Sequence, residues 1–284
     1  MNISIDRLKA LREKTGAGIM DCKRALFETD QDLGAAESLI AEWGLSVAQK
    51  RQERATNEGC VALIADRGKA ALASLACETD FVALNASYIE AVRKIALEAF
   101  GKGLKASNET IDTLVADIAR RMKENIALKG IAFIQAEEGD YIDSYLHGDA
   151  KTGVAIRVHA DDKACFENPG VLRSLHDLSL QVAASNPSYL RREAIPLSIR
   201  EGLERTIRDE VENDAKYADK TESLKAGIVA GKVKKFFSTA CLYEQRFIRD
   251  DKTTIAQCID GIQREAGTRL SVVEFIRLAI GKEL

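Results

Sequence analysis

Gly59-Cys-Val-Ala-Leu-Ile-Ala-Asp-Arg-Gly-Lys-Ala-Ala-Leu-Ala-Ser-Leu-Ala-Cys77 decides the fold. From Gly59 the apolar pattern takes a period of two. The segments Gly59–Asp66 and Lys69–Cys77 flank Asp66-Arg67-Gly68, which predicts a β-hairpin. Directly after it comes Glu78-Thr79-Asp80-Phe81-Val82. Strand faces alternate inward and outward, so a carboxylate beside a large ring at a strand's mouth is poor packing chemistry. Thr79-Asp80-Phe81-Val82 reads instead as a protruding tip. Phe81 is suited to another molecule's apolar pocket, and Asp80 to a polar or cationic centre there.

Downstream, two amphipathic helices are predicted, one with Tyr88, Ile89, Val92, Ala96 and Ala99 on a face, the next with Ile111, Leu114, Val115, Ile118 and Met122. Ile131–Ala136 reads as a strand. A second unit opens similarly, with strands near Asp140–His147 and Thr152–His159 and a helix carrying Val171, Leu172, Leu175, Leu178 and Val182. The two units share a strand-strand-helix-strand plan. Ile199, Leu203, Ile207 and Val211 answer Leu224, Ile228, Val229, Val233 and Phe236 across a polar bend at 214–220, which predicts an inserted helical hairpin. The unit then resumes with strand-like Cys241–Ile248, a helix bearing Ile255, Cys258, Ile259 and Ile262, and a last strand, Leu270–Ile280.

Upstream, Ile5, Leu8 and Leu11 form one face, Ile19, Cys22, Ala25 and Leu26 a second, and Leu33, Ala36, Leu39 and Ile40 a third. Three helices this short make a marginal domain, so they are expected to serve as an attached recognition module. The fold class expected is α+β. A three-helix domain spans 1–48, and a linker or helical tether 49–58. A duplicated antiparallel-sheet-plus-helices core then divides into 59–138 and 139–284, with the hairpin inserted at 188–238.

The bulk properties exclude several functions. The 284 residues are 46% hydrophobic and 30% charged, with net charge −3, so the chain fills about two cores and lacks the basic excess of a phosphate-binding protein. Lys232, Lys234 and Lys235, the one tight basic cluster, read as a solvated helix face. Met1 leads directly into an amphipathic pattern with no long apolar run, and the six cysteines show no Cys-x-x-Cys spacing. We therefore expect a cytoplasmic protein with reduced thiols, no membrane and no direct nucleic acid.

Catalytic signatures are missing. The chain contains no phosphate-binding Gly-x-x-x-x-Gly-Lys-Ser/Thr, no Gly-x-Gly-x-x-Gly, no Gly-x-Ser-x-Gly and no His-Glu-x-x-His. His147, His159 and His176 are too widely spaced for helical metal ligation. Gly16-Ala17-Gly18 reads as a bend rather than a phosphate cradle. A Cys77–His147 nucleophile–base pair would need only to meet in space, but Cys77 ends an apolar run and is expected to be packed. We expect no enzyme, cofactor or metal.

Thr15-Gly-Ala-Gly-Ile-Met-Asp-Cys-Lys23 resembles the N-terminal signature of bacterial elongation factor Ts, and Cys77-Glu-Thr-Asp-Phe-Val82 resembles that family's second signature. Glu124-Asn125-Ile126, Ser144-Tyr-Leu-His-Gly148, Val182-Ala-Ala-Ser-Asn-Pro187 and Gly231-Lys-Val-Lys-Lys-Phe236 follow in the family's order over almost the whole chain. The resemblance implies a nucleotide exchange factor for elongation factor Tu. It also implies a ubiquitin-associated-like three-helix N-domain, a two-part α+β core and a hairpin that can mediate a homodimer. By it, Thr79, Asp80, Phe81 and Val82 dislocate the partner's magnesium. Lys23 faces a helix of the partner's GTPase domain, and Asn125, Ile126 and His147 lie near the partner.

There are departures from the family pattern. Gln181 stands where many relatives have His, so a contact through that His does not transfer. Lys129-Gly130 replaces a common basic pair, and the hairpin region from Pro196 matches poorly except at its end. Two other readings remain open at this stage. One is a scaffold in which the three-helix module binds a helix or a ubiquitin-like fold with Phe81 as an ordinary anchor. The other is a Cys/His hydrolase.

Overall fold

The computed structural model describes residues 4–15, 17–52 and 54–281; Gly16 and the side chains of 44–52 lie outside that description. Helices α1 (Ile5–Thr15), α2 (Ile19–Glu28) and α3 (Leu33–Gln52) close on Leu11, Cys22, Ala25, Leu26 and Ala36, all buried. The Thr15 hydroxyl turns the chain between the first two, donating to the Leu11 carbonyl at 2.7 Å and accepting from the Ala17 amide at 3.3 Å. Helix α3 continues through Gln52, so the charged stretch beginning at 49 opens as helix.

Two three-stranded antiparallel sheets follow. The first has the order β1 (Glu58–Ala65), β2 (Lys69–Cys77), β3 (Ala127–Gln135). The second has the order β4 (Asp140–Leu146), β5 (Thr152–Ala160), β8 (Leu270–Ala279). Each is a hairpin whose second strand pairs on its far side with a strand arriving after a helical excursion. The outer face of the first sheet is covered by α5 (Ala86–Lys102) and α6 (Glu109–Met122), through Ala73, Leu75, Cys77, Tyr88, Val92, Ile95, Ile111 and Ile118. The second is covered by α7 (Pro169–Ser185) and α10 (Ile255–Ala266), through Val154, Ile156, Val158, Leu175, Leu178 and Ile259. The inner faces meet through Ala70, Ile134, Ile142 and Ala155.

Strand β2 is therefore enclosed on both sides, with every residue from Ala70 to Cys77 buried. Its sequence is dominated by Ala because sheets at roughly 10 Å separation leave little room for larger groups. At Gly153 of β5 a Cβ would come within 2.7–2.8 Å of Leu72 and Val61 side chains.

Two sequence expectations need correction. Strand β3 begins at Ala127, not Ile131: Lys129-Gly130 interrupts the apolar pattern, but the backbone still pairs, with a register shift opposite Ser74 and Leu75. Cys241–Ile248 is not a sheet strand. Cys241 ends a helix, Leu242–Glu244 make a 3-10 turn that buries Leu242 and Tyr243, and only β6 (Arg246–Phe247) pairs, with β7 (Asp250–Thr254). The hairpin consists of α8 (Leu197–Asn213) and α9 (Glu222–Ala240), joined through Ile207, Val211 and Val229.

Gly59 has φ +139°, and a Cβ there would lie 2.2 Å from the Leu75 carbonyl oxygen. We predict that Gly59→Ala lowers the unfolding free energy by roughly 2–4 kcal/mol. Gly148→Ala, with open space around it, should stay within about 0.5 kcal/mol. Urea titration followed by circular dichroism compares the two.

Candidate functional site

The buried run of β2 ends at Cys77, and the chain must then reach α5 on the outer face. It does so through a single helical turn, α4 (Asp80–Ala83). Thr79 caps the turn, its hydroxyl accepting from the Val82 amide at 3.4 Å, and the Leu84 amide donates to the Asp80 carbonyl at 3.0 Å. Ala83 is buried and Val82 packs against the first core. Asp80 and Phe81 face outward, Phe81 with 83% of its surface exposed. The expected protrusion is present, but as a helical turn. Four residues are too few to show helical periodicity in sequence.

The turn is held from behind. Helix α6 ends at Lys123 in the left-handed conformation, φ 59°, which brings Glu124 back toward the β2 terminus. The Glu124 carboxylate accepts from the Glu78 amide at 3.0 Å, the Thr79 amide at 3.1 Å and the Thr79 hydroxyl at 2.6 Å. Glu78 in turn accepts from the Asn125 amide at 2.6 Å and pairs with Arg54, while the Asn125 side-chain amide donates to the Arg54 carbonyl at 2.8 Å. Asn125 thus braces the tip, and Ile126 is buried in the core beneath it. Glu124 and Glu78 are site residues that sequence reasoning does not single out. A carboxylate clamp across 45 residues leaves no local pattern.

The loop after β4 reaches the same end of the core. The Val61 amide of β1 donates to the Ala150 carbonyl at 2.7 Å, and Ala150 packs with the cluster containing Cys77 and Ala83. Lys151 pairs with Glu58 at 2.8 Å. Its ammonium is held above the usual range, chiefly by that hydrogen bond, with Asp80 adding a smaller electrostatic pull. His147 is exposed at the start of this loop, its Nδ1 paired with the Tyr145 hydroxyl at 2.9 Å. Asp143 and Tyr145 share one face of β4, with His147 just beyond its end, and Asp143 meets His176 at 3.1 Å and Ser179 at 2.6 Å. Burial raises the Asp143 carboxyl, against the opposing effect of those two partners.

The structure therefore gathers Thr79, Asp80, Phe81, Val82, Asn125, Ile126 and the His147 loop at one end of the first sheet. Lys23 is exposed on α2 of the N-terminal bundle. Gln181 is buried. Its Nε2 donates to Ser185 Oγ, Gln245 Oε1 and the Arg246 carbonyl, and its Oε1 accepts from the Ile248 amide. It is a brace inside the second unit. A cleft of about 690 Å³ between α8 and α9 is lined by none of these residues.

This chemistry does not favour a thiol nucleophile. Cys77 donates to the Thr79 carbonyl at 3.2 Å, and burial pushes its thiol up to about 11, where a reactive thiol is lowered instead. His147 has Tyr145 as its partner. Among the described residues no cluster of His, Cys, Asp and Glu could hold a metal ion, and no helix is long and apolar enough to cross a membrane.

The family model described as Elongation factor TS matches residues 78–282. The chain is 34% identical to elongation factor Ts of Treponema denticola, covering 99% of each chain. It is 36% identical to that of Nitratidesulfovibrio vulgaris, covering 100% of this chain and 97% of the relative, and 33% identical to that of Aquifex aeolicus, covering 99% of each.

Replacing Glu124 with Gln removes the charge from three hydrogen bonds to the tip. Amide hydrogen exchange at Thr79 and Val82 should speed up, and stability should fall by about 1–3 kcal/mol. A pH dependence also follows from Cys60 and Cys77, each raised from 9.0 to about 11, first by burial. In the unfolded chain these thiols lose their protons near 9, while in the native state they keep them to about 11. Their contribution to stability is thus full below pH 9 and lost as pH rises toward 11. Urea midpoints should fall across that window, with a smaller fall in Cys60→Ala.

Proposed function

The chain belongs to the elongation factor Ts family and is a translation elongation factor, and on that premise we propose that it promotes release of GDP from elongation factor Tu so that GTP can rebind. The observation that carries this reading is the tip: a large ring, 83% exposed, beside a carboxylate on a turn locked from behind. A monomer gains nothing by presenting such a ring to water. A partner with an apolar pocket next to a cationic centre accounts for both side chains.

The mechanism is one of differential binding. Magnesium in a GTPase is held by few protein oxygens, with phosphates and water completing a demanding octahedral shell. Phe81 enters the partner's pocket and supplies burial energy. Asp80, carried in with it, disturbs the ligands around the magnesium. A protein that prefers the nucleotide-free partner must by linkage weaken nucleotide binding by the same factor, and each ~1.4 kcal/mol of preference is about tenfold. Thr79 and Val82 hold the turn, Asn125 and Ile126 set it on the core, and His147 and Lys23 add contacts at the loop and on the N-terminal bundle. No bond in this chain is made or broken, so no catalytic triad is required. The site of action is the cytoplasm.

The test is release of a fluorescent GDP from elongation factor Tu. The intact protein should accelerate it strongly. Phe81→Ala should raise the concentration needed for half-maximal acceleration roughly 10- to 100-fold, the range for one fully buried large apolar side chain. Asp80→Ala should lower the maximal rate instead. No acceleration by the intact protein would overturn the exchange reading and favour the scaffold.

A further inference from the structure

Phe81 of α4 is not the only large apolar side chain exposed at this tip. Leu84, three residues on, is 78% exposed. A single exposed leucine needs no explanation. Phe81 on the turn and Leu84 at its C-cap, itself in the right-handed helical region, sit at the spacing that places side chains about 5–6 Å apart on one face, which makes them a contiguous knob.

The arrangement is fixed from within. Val82 and Ala83 of the same turn point into the core, so Phe81 and Leu84 have no inward alternative without undoing that packing. The Leu84 amide is bonded to the Asp80 carbonyl, Asn85 caps α5 through the Ser87 amide, and Glu124 holds Thr79. Backbone order at Leu84 is thus already in place in the free protein. Burying its side chain costs only the side chain's own freedom, which is small for leucine.

We propose that Leu84 is a second anchor on the partner, inserted with Phe81 into one apolar groove, and that it sets the specificity of this chain for partners whose groove extends past the Phe81 pocket. The proposal rests on the exchange reading above. The occupant it commits to is the GTPase partner itself, because the knob is continuous with Asp80 and Phe81 and shares their turn. A polar or charged residue at position 84 would demand a polar rim at that point of the partner. Leucine demands an apolar one.

Leu84 touches little of its own chain, so substitution leaves the fold intact, which the thermal midpoint verifies. In the GDP-release assay, Leu84→Ala should raise the half-maximal concentration about tenfold with the maximal rate unchanged. Leu84→Lys should raise it further, and Leu84→Met, of similar volume, should stay within about threefold of the parent. If Leu84→Ala and Leu84→Lys behave as the parent while Phe81→Ala fails, the second anchor is overturned and the exchange reading stands. If neither Phe81→Ala nor Leu84→Ala changes the acceleration, both anchors are overturned, while the exchange activity stands and its site lies elsewhere on the core. If sedimentation shows the isolated protein as a dimer that Leu84→Ala dissolves, a second copy occupies the knob and the proposal is overturned.

Discussion

Strand β2 has no face to spare. Helix α5 covers one side and the second sheet the other, and half of the buried side chains of β2 between them are single methyl groups. Everything else in the core is arranged around that enclosure. Gly59 must be glycine because β1 passes against the Leu75 carbonyl. Gly153 must be small because β5 crosses Leu72. A strand buried on both sides also cannot continue outward as a strand, since its next residues would have to leave one packed layer for another. The chain escapes at Cys77 through a capped turn, and the exposed tip is the geometric result of that escape.

Such a tip would be loose if nothing opposed it. The Glu124 carboxylate fills three donors at the turn's entry, so the backbone that carries Asp80 and Phe81 is tied to the end of α6 as well as to the core. This matters for any binding role, because a rigid knob loses less entropy on docking than a mobile one. It also separates two duties. The residues that hold the turn are buried or bonded, whereas those that face outward contribute little to stability.

Much of this was legible in the sequence, and the exceptions have physical causes. Hairpin β1–β2, the faces of α5 and α6, and the pairing of α8 with α9 show as periodicity because one side of each is apolar over ten residues or more. The unbroken run of small and apolar residues from Ala70 to Cys77 reads as a buried strand, and β2 is buried on both faces. Cys241–Ile248 misleads because Leu242, Tyr243 and Phe247 are apolar, as in a strand, yet a 3-10 turn buries the first two. The Asp80-Phe81 tip was visible as an anomaly, but its helical form and its clamp were not, since Glu124 acts on residues 45 positions away. Leu84 carried a signal that could have been read: a large apolar residue three after Phe81, directly before the helix-capping Asn85.

The amide at position 181 has one further consequence. Gln181 bridges α7 to the segment 245–248, donating through Nε2 and accepting from the Ile248 amide through Oε1. An imidazole in the same place would carry a titratable group into a buried site. Glutamine carries none. Inside the junction between α7 and the β6–β7 hairpin the contact is thus neutral, and the charge that joins the two elements is carried at its rim by Arg249 and Asp177, 2.8 Å apart.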